Sequence, residues 1–353
     1  MASQPTLTAP FDMAQNSYTF ALSPDEQTRL KTELSTGNYL PCSVPYTTIA
    51  VKAPSWDCGV ALYTSGKCVI QGKGSHDFVE NVLETKILRK VVLDANGAFL
   101  PQPLSKEALA SHIGVDESGK GDFLGPMIIA AVHVNAETAQ QLQTLGVCDS
   151  KLISSDEKAL ELAGTIRDRI GEQNYSIVRF SNEAYNKAYA KTRSVTPILA
   201  WGHARAIVNV RAKNPDSKFA ISDQFAKEDT VLRQLRKMNC DIELRSRVRG
   251  EADIAVAAAS ILAREQFLLA LRTLREHYGM SIPKGASSAV DKAAADLVRK
   301  CGPSVLEMVA KCHFANTDTV LKVHGWTRDV LPPDCRFKSR PYSGKFASHH
   351  HGS

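Results

Sequence analysis

Two acidic residues, Asp116 and Glu117, end a short apolar stretch and stand directly before the glycine-rich segment Gly119-Lys120-Gly121. Carboxylates are hard oxygen ligands suited to Mg²⁺ or Mn²⁺. Because neighbouring side chains of a strand point to opposite faces, both can serve one site only if the strand stops at this pair. The glycines permit a tight turn that can hold a phosphate beside the positive charge of Lys120. Taken alone, the same pattern also fits an ordinary acidic surface turn.

Two further carboxylates stand where strands and helices meet. Asp223 follows the apolar stretch Phe219–Ser222, and active sites of α/β sheets gather at the edge where strand ends meet. Glu251 opens an alanine-rich helix that can pack closely on a sheet. The alternatives are a capping role for Asp223 and a favourable helix-dipole interaction for Glu251. Asp253 is a rival candidate, but on a helix it points about 200° away from Glu251.

Other residues allow both a functional and a structural interpretation. Lys151, in the cluster Cys148–Leu152, can contact phosphate or remain solvated. Trp201 and His203 lie in an apolar helix. We expect Trp201 to be a core residue rather than a stacking platform for bases, and His203 to be a packed helix residue rather than a metal ligand. The segment Gln71–Ser75 can hold a phosphate at a helix N-terminus or simply connect a strand to a helix.

Elements before residue 95 predict a small α+β domain over residues 17–95, preceded by a loose tail over residues 1–16. The pattern gives one strand, a helix capped by Ser23, three strands and a second helix: Tyr18–Leu22, Ser23–Leu34, Thr47–Val51, Gly59–Thr64, Lys67–Gln71 and His76–Leu88. Proline and glycine after residue 94 predict a linker over residues 96–110.

A second domain is predicted over residues 111–330, where strands alternate with helices in the manner of a layered α/β sheet. The strands are expected at Ile113–Asp116, Met127–Val134, Ser176–Phe180, Phe219–Ser222 and Glu243–Val248. The helices are expected at Ser155–Ile170, Pro197–Lys213, Glu251–Tyr278 and Val290–Cys301. Residues 331–353 are expected to form a flexible basic tail, and His349–His351 resemble a remnant of a purification tag.

Composition and charge describe a globular protein with a modest basic excess. The 353 residues are 43% hydrophobic and carry a formal charge of +6. Residues 1–110 hold nine basic and ten acidic residues, so the surplus lies beyond them, where a polyanion would bind. We find no signal peptide, no apolar run long enough to span a membrane and no Cys-x-x-Cys pair. We therefore expect a cytoplasmic protein with reduced thiols and no membrane association.

Five separated segments resemble, in order, the ribonuclease H type 2 family, and within it type HIII. The resemblance extends over residues 15–328 and rests on these segments: Gly114–Pro126, Asp149-Ser150-Lys151, Leu199–Ala204, Ser222–Phe225 and Glu251–Arg264. Type HII is similar but has Asp at the fourth acidic position and Gly-Arg-Gly after the acidic pair. Glu251 and Lys120 therefore favour type HIII. One departure is Lys191–Pro197, where the family has a Gly-Asn-x-Asn-like stretch, which puts any substrate contact from that loop in doubt.

The resemblance implies an α/β fold with a ribonuclease H-like mixed sheet flanked by helices. It also implies that a TBP-like N-terminal domain, carrying Tyr63–Lys67 and Gln71–Gly74, precedes that sheet and helps to grip the substrate. The same resemblance implies a four-carboxylate catalytic and metal site, mapped onto Asp116, Glu117, Asp223 and Glu251.

The implied activity is hydrolysis of the RNA strand of RNA–DNA hybrids with two Mg²⁺ or Mn²⁺ ions, giving 5′-phosphate and 3′-hydroxyl ends. We expect a monomer that needs no protein partner. The predicted substrate-binding residues are Ser118, Gly119, Lys120, Gly121 and Lys151. Two alternatives remain open, namely incision at single ribonucleotides in duplex DNA and a non-catalytic nucleic-acid-binding module.

Overall fold

The chain folds into two compact units, Met1–Gln102 and Pro103–Ser353, whose boundary lies inside the predicted linker. The structure is a computed structural model, and it describes residues 17–93, 97, 104–147, 153, 155–223, 229–247 and 250–339. The side chains of Asp229 and Glu251 lie outside this description.

The first unit is a five-stranded antiparallel sheet with helices packed on one face. Its elements are β1 Ser17–Ala21, α1 Pro24–Thr36, β2 Leu40–Pro41, β3 Thr47–Ala53, β4 Cys58–Tyr63, β5 Lys67–Gly72, α2 Ser75–Phe78 and a π-helical continuation Val79–Leu88. The strand order is β1-β5-β4-β3-β2.

Local sequence signals account for much of this unit. Ser23 caps α1 in a complete capping box with Glu26, and Pro24 starts the helix, as predicted. Between β4 and β5, Gly66 adopts φ +80°, a left-handed conformation that suits glycine in a tight turn. Leu30, Leu62 and Ile70 are fully buried in the core that joins the sheet to the helices.

The second unit is a five-stranded mixed sheet between two layers of helices. Its strands are β6 His112–Ser118, β7 Met127–Val134, β8 Tyr175–Phe180, β9 Phe219–Asp223 and β10 Glu243–Arg247. Its helices are α3 Ala136–Thr144, α4 Asp156–Ile170, α5 Asn182–Thr192, α6 Thr196–Lys213, α7 Asp229–Lys237, α8 Ile254–Tyr278, α9 Ser288–Cys301, α10 Val305–Val309 and α11 Asn316–Val323.

The order of the second sheet is β10-β9-β6-β7-β8. Strands β6, β9 and β10 run parallel, whereas β7 is antiparallel to both β6 and β8. Alternate side chains of β7 enter two separate cores. Ile128 and Ala130 contact the layer built around α8, whereas Ile129 and Ala131 contact the layer built around α6. All eight residues of β7 are buried, as is typical of a strand covered on both faces, and the strand has the predicted bounds.

Helix α8 lies directly on β6 because both elements carry very small residues at their contact. A Cβ atom on Gly114 would lie 2.2 Å from the carbonyl carbon of Ala255 and from the amide nitrogen of Val256. By length and a mean hydropathy of 1.6, this helix alone among the described residues could cross a membrane, but 78% of its apolar window is buried in the protein. It is therefore the central helix of the core.

Four sequence expectations need correction. Trp201 is not a core residue, because it is 39% exposed. Strand β6 does not stop at Asp116 but runs to Ser118, because it stays paired with β7. The long helix begins at Ile254 rather than Glu251, because Asp253 takes the cap position. The predicted C-terminal tail is packed as far as Ser339, since Leu331 and Cys335 are buried in the core and Ser339 donates to the His313 carbonyl.

Candidate metal and nucleic-acid site

The parallel pairing of β6 with β9 brings two acidic residues to one edge of the sheet. Val115 pairs with Ser222, and the next residue of each strand is Asp116 and Asp223. Neighbouring strands lie about 4.8 Å apart, so these two carboxylates come from adjacent backbones. The edge is the carboxyl end of both strands, where active sites of α/β sheets form.

Glu117 emerges on the opposite face of β6 from Asp116. Both residues remain in regular pairing, Asp116 with Ala130 and Glu117 with Ile129. Asp116 therefore shares the face of Gly114 against α8, whereas Glu117 shares the face of Val115 and points towards α6. The two acids thus border the sheet edge from its two sides, even though the strand does not end between them.

Gly250 places the Glu251 backbone beside Asp223. Its N–H donates to Asp223 Oδ1 at 3.3 Å. A Cβ atom on Gly250 would lie 3.0 Å from both the Cα and the backbone nitrogen of Asp223, so only glycine fits this contact without displacement. Gly250–Ala252 form a short 3₁₀ turn that leads into α8. The backbone of the fourth predicted acid is therefore adjacent to the third.

Asp253, the rival candidate, has a structural role. Its carboxylate accepts hydrogen bonds from the N–H groups of Ala255 and Val256 at the start of α8. It also lies 3.1 Å from Nε2 of the fully buried His112. Asp253 therefore fixes the start of α8 and is already fully engaged there.

Two basic side chains hold the Glu117 carboxylate. Its Oε2 lies 2.9 Å from His203 Nε2, and its Oε1 accepts from Lys120 Nζ at 3.0 Å. Burial on its own would raise the pKa of Glu117, but the hydrogen bonds and charges of His203 and Lys120 outweigh burial and lower that pKa to about 2. Glu117 is therefore ionised at neutral pH.

His203 is buried in α6, as the sequence predicted, but its partner was not anticipated. The two residues are 86 positions apart, so helical periodicity marked the histidine as inward-facing and gave no indication of what it meets. Gly202 lets α6 approach the sheet, because a Cβ atom there would lie 2.7 Å from Ile129 Cδ1. This close approach brings the imidazole to Glu117.

The loop after β6 is fixed by backbone contacts. Gly119 adopts φ +86°, and a Cβ atom there would lie 2.3 Å from the Pro126 carbonyl oxygen. Asp122 Oδ1 accepts from the Gly285 N–H at 2.6 Å. At the far end of the loop, the buried Lys311 donates to the Gly125 carbonyl at 2.5 Å, and burial lowers the pKa of this lysine to about 7. The glycine-rich turn is therefore held in one conformation.

The remaining predicted site residues differ in position. Ser118 is the last residue of β6, and Gly121 is exposed with open space around its Cα. Lys120 is partly exposed and contacts Glu117. Lys151 lies outside the described residues. The structure thus gathers the acidic pair, Asp223 and the glycine-rich turn at one place.

The donor set fits hard divalent cations. Carboxylate oxygens are the ligands that Mg²⁺ and Mn²⁺ prefer. Asp116, Glu117 and Asp223 all lie at the carboxyl ends of β6 and β9, with Glu117 on the α6 face and the other two on the α8 face. The ammonium group of Lys120 provides a positive charge beside the Glu117 carboxylate. The arrangement is suited to binding cations together with a phosphate group.

Comparison with known proteins identifies the family of the chain. The family model described as Ribonuclease HII matches residues 113–317. Ribonuclease HIII of Chlamydia trachomatis serovar L2 is 40% identical over 308 residues, which cover 87% of this chain and 98% of the relative. Ribonuclease HIII of Chlamydia abortus is 39% identical over 295 residues, covering 83% and 93%.

A solved structure, Bst-RNase HIII in complex with Mn²⁺, is 30% identical with a TM-score of 0.59, and the match covers 87% of this chain and 98% of that one. The matches to the ribonucleases HIII cover 83% to 87% of the chain and so extend into both units, whereas the family model matches within the second unit. The chain belongs to the ribonuclease HIII family, within the type 2 ribonucleases H.

Proposed function

We propose that this protein is an endoribonuclease that hydrolyses the RNA strand of RNA–DNA hybrids. The observation that carries the proposal is that Asp116, Glu117 and Asp223 lie at the carboxyl ends of two neighbouring parallel strands, with Gly250 bringing the backbone of Glu251 beside Asp223. Family membership supplies the substrate class, since relatives that align over nearly their whole length are ribonucleases HIII.

We further propose that these four acids hold two divalent cations, Mg²⁺ or Mn²⁺. When bound, such cations lower the pKa of a water molecule and stabilise charge on the phosphate and on the leaving 3′-oxygen. The acids would be the ligands, and the products would carry 5′-phosphate and 3′-hydroxyl ends. The Mn²⁺ complex of the Bst relative supports the choice of metal.

Neighbouring residues prepare the site for substrate. His203 keeps the Glu117 carboxylate ionised and oriented, because it holds Oε2 from a fully buried position. Lys120, which is 45% exposed, can turn from Glu117 to a phosphate. The N–H groups of the Gly119–Gly121 turn are our candidates for contacting the 2′-hydroxyl, the group that distinguishes RNA from DNA. Ser118 and Lys151 are proposed as further contacts.

A comparison of two substrates tests the proposed activity. With Mg²⁺ or Mn²⁺, we expect faster cleavage of a uniform RNA–DNA hybrid than of duplex DNA containing one ribonucleotide, measured as kcat/KM on labelled oligonucleotides. Preference for the single ribonucleotide would indicate type HII-like incision. A lack of metal-dependent cleavage on either substrate would indicate a binding module.

We propose that the first unit grips the hybrid through the sheet face that its helices leave uncovered. On this face lie Lys52, Ala61, Tyr63 and Gln71, which line a shallow depression, whereas the alternate residues are buried under the helices. Small side chains at the centre with lysine and tyrosine around them suit a nucleic-acid backbone.

Removal of residues 1–102 should weaken hybrid binding by about tenfold or more while leaving measurable cleavage. Binding would be measured by fluorescence anisotropy at several salt concentrations, and circular dichroism would establish that the fragment is folded. In the full chain, Lys52→Ala should also weaken binding of the RNA–DNA hybrid. A folded fragment with unchanged affinity would rule out the gripping role.

We also propose that the protein acts in the cytoplasm as a monomer without a protein partner. The seven cysteines among the described residues are all free thiols, as expected in a reducing compartment. All four proposed metal-binding acids come from one chain, so the site needs no residue from a second copy.

A further inference from the structure

An arginine stands in line with the acidic residues at the same sheet edge. Arg247 is the last residue of β10 and pairs with Asp223 in parallel register. Asp223 in turn lies next to the β6 backbone at Asp116. Parallel partners point to the same face, so Asp116, Asp223 and Arg247 form a row across three adjacent strands. The Arg247 side chain is 42% exposed.

This arginine is held by an acid from the segment that enters the second unit. Glu107 Oε1 accepts from Arg247 Nη2 at 2.5 Å and from Arg245 Nη1 at 2.5 Å. Arg245 has other partners as well: it donates to both carboxylate oxygens of Glu243 and stacks over the Phe219 ring at 3.7 Å. Arg245 is thus held in place by several contacts, whereas Glu107 is the acid that pairs with Arg247 among the described residues.

The chemistry of this cluster matches that of a phosphate-binding site. A guanidinium group binds a carboxylate and a phosphate with the same planar pairs of N–H donors. The Glu107 carboxylate therefore occupies the position that a phosphodiester oxygen can take. Glu107 is 32% exposed, and ion pairs at such exposure contribute little to stability, so a phosphate can displace it readily.

We propose that Arg247 binds a backbone phosphate of the nucleic acid beside the metal site, and that Glu107 competes with that phosphate for the same guanidinium group. This proposal rests on the proposed function, because it assigns the nucleic acid to the same sheet edge. Glu107 would lower the affinity for every polyanion, and a substrate that also engages the metal site would overcome this competition.

Two substitutions should change binding in opposite directions. We expect Arg247→Ala to raise the Kd for an RNA–DNA hybrid by about tenfold, because one phosphate contact is lost. For the same reason, the slope of log Kd against the logarithm of the salt concentration should fall by about 1. We expect Glu107→Gln, which keeps the size of the side chain and removes its charge, to lower the Kd by about threefold. The reason is that the neutral amide competes less strongly with phosphate for the Arg247 guanidinium group.

The measurement uses the full chain carrying Asp116→Asn, so that the hybrid is not cleaved, with fluorescence anisotropy as the readout. Arg299 and Asp296 form a matched control pair, because they are a surface ion pair at 2.7 Å on α9. Arg299→Ala and Asp296→Asn should each change the Kd by less than about twofold. Arg247→Lys serves as a second variant if Arg247→Ala does not fold.

Opposite shifts in Kd support the proposal. If Glu107→Gln and Arg247→Ala both weaken binding, or if both leave it unchanged, the cluster is only a structural clamp and the proposal is wrong. Melting temperatures separate the two roles further, since a clamp lowers stability in both variants without opposite effects on binding. If the unmodified protein neither binds nor cleaves the hybrid in Mg²⁺ or Mn²⁺, the proposed function itself fails, whatever the Arg247 and Glu107 variants show.

Discussion

Replacing Asp116 by asparagine should reduce metal-dependent cleavage of an RNA–DNA hybrid by about a thousandfold or more, equivalent to about 4 kcal/mol of transition-state stabilisation. Asparagine at this position would keep the shape of the side chain but lose the negative charge that attracts a divalent cation. The fold should be spared, because the acids at this edge repel one another when no cation is bound.

Single-turnover cleavage in Mg²⁺ and in Mn²⁺ measures this loss, and thermal unfolding monitors the fold. Asp241→Asn is a suitable control, since Asp241 is an exposed acid of the same unit that precedes β10 at the opposite edge of the sheet. The control should cleave at the normal rate. Near-normal cleavage by Asp116→Asn would show that the metal site has been assigned to the wrong residues.

Replacing Gly114 by alanine should destabilise the protein by about 3 kcal/mol or more. The added Cβ atom would lie 2.2 Å from the backbone of Ala255 and Val256. Because both contacts are with backbone atoms, no side-chain rotation can relieve them, and α8 would have to move away from β6.

Urea denaturation of the full chain measures the free energy of unfolding of the second unit. Gly164→Ala is the matched control, because Gly164 lies within α4 and a Cβ atom there meets nothing within 4 Å. Alanine favours helix, so this control should stabilise the protein by up to about 1 kcal/mol. Equal stabilities for the two variants would contradict the close contact between α8 and β6.

Sequence patterns predicted the elements that carry strong local signals. The helix capped by Ser23 and the strand Met127–Val134 both follow from residue types at fixed spacing. Asp223 was correctly expected at the end of its strand. The short helices α3, α5, α7, α10 and α11 were not predicted, since brief amphipathic stretches give little periodicity.

Contacts between distant parts of the chain could not be predicted from the sequence. The bond of His203 to Glu117 and that of Arg247 to Glu107 join residues 86 and 140 positions apart. The end of β6 was misplaced because glycine after the acidic pair suggested a break, whereas pairing with β7 continues to Ser118. The start of α8 was misplaced by three residues because Asp253, not an earlier residue, caps the helix.

The contact of Gly114 with α8 also bears on how the enzyme responds to heat. Asp116 is two residues from a point where strand and helix backbones touch, so its position depends on the main chain rather than on the fit of large side chains. Substitutions elsewhere in the core can change melting temperature without shifting this carboxylate. Loss of activity on heating should therefore coincide with unfolding of the second unit instead of preceding it, and thermostable variants should retain their full catalytic rate.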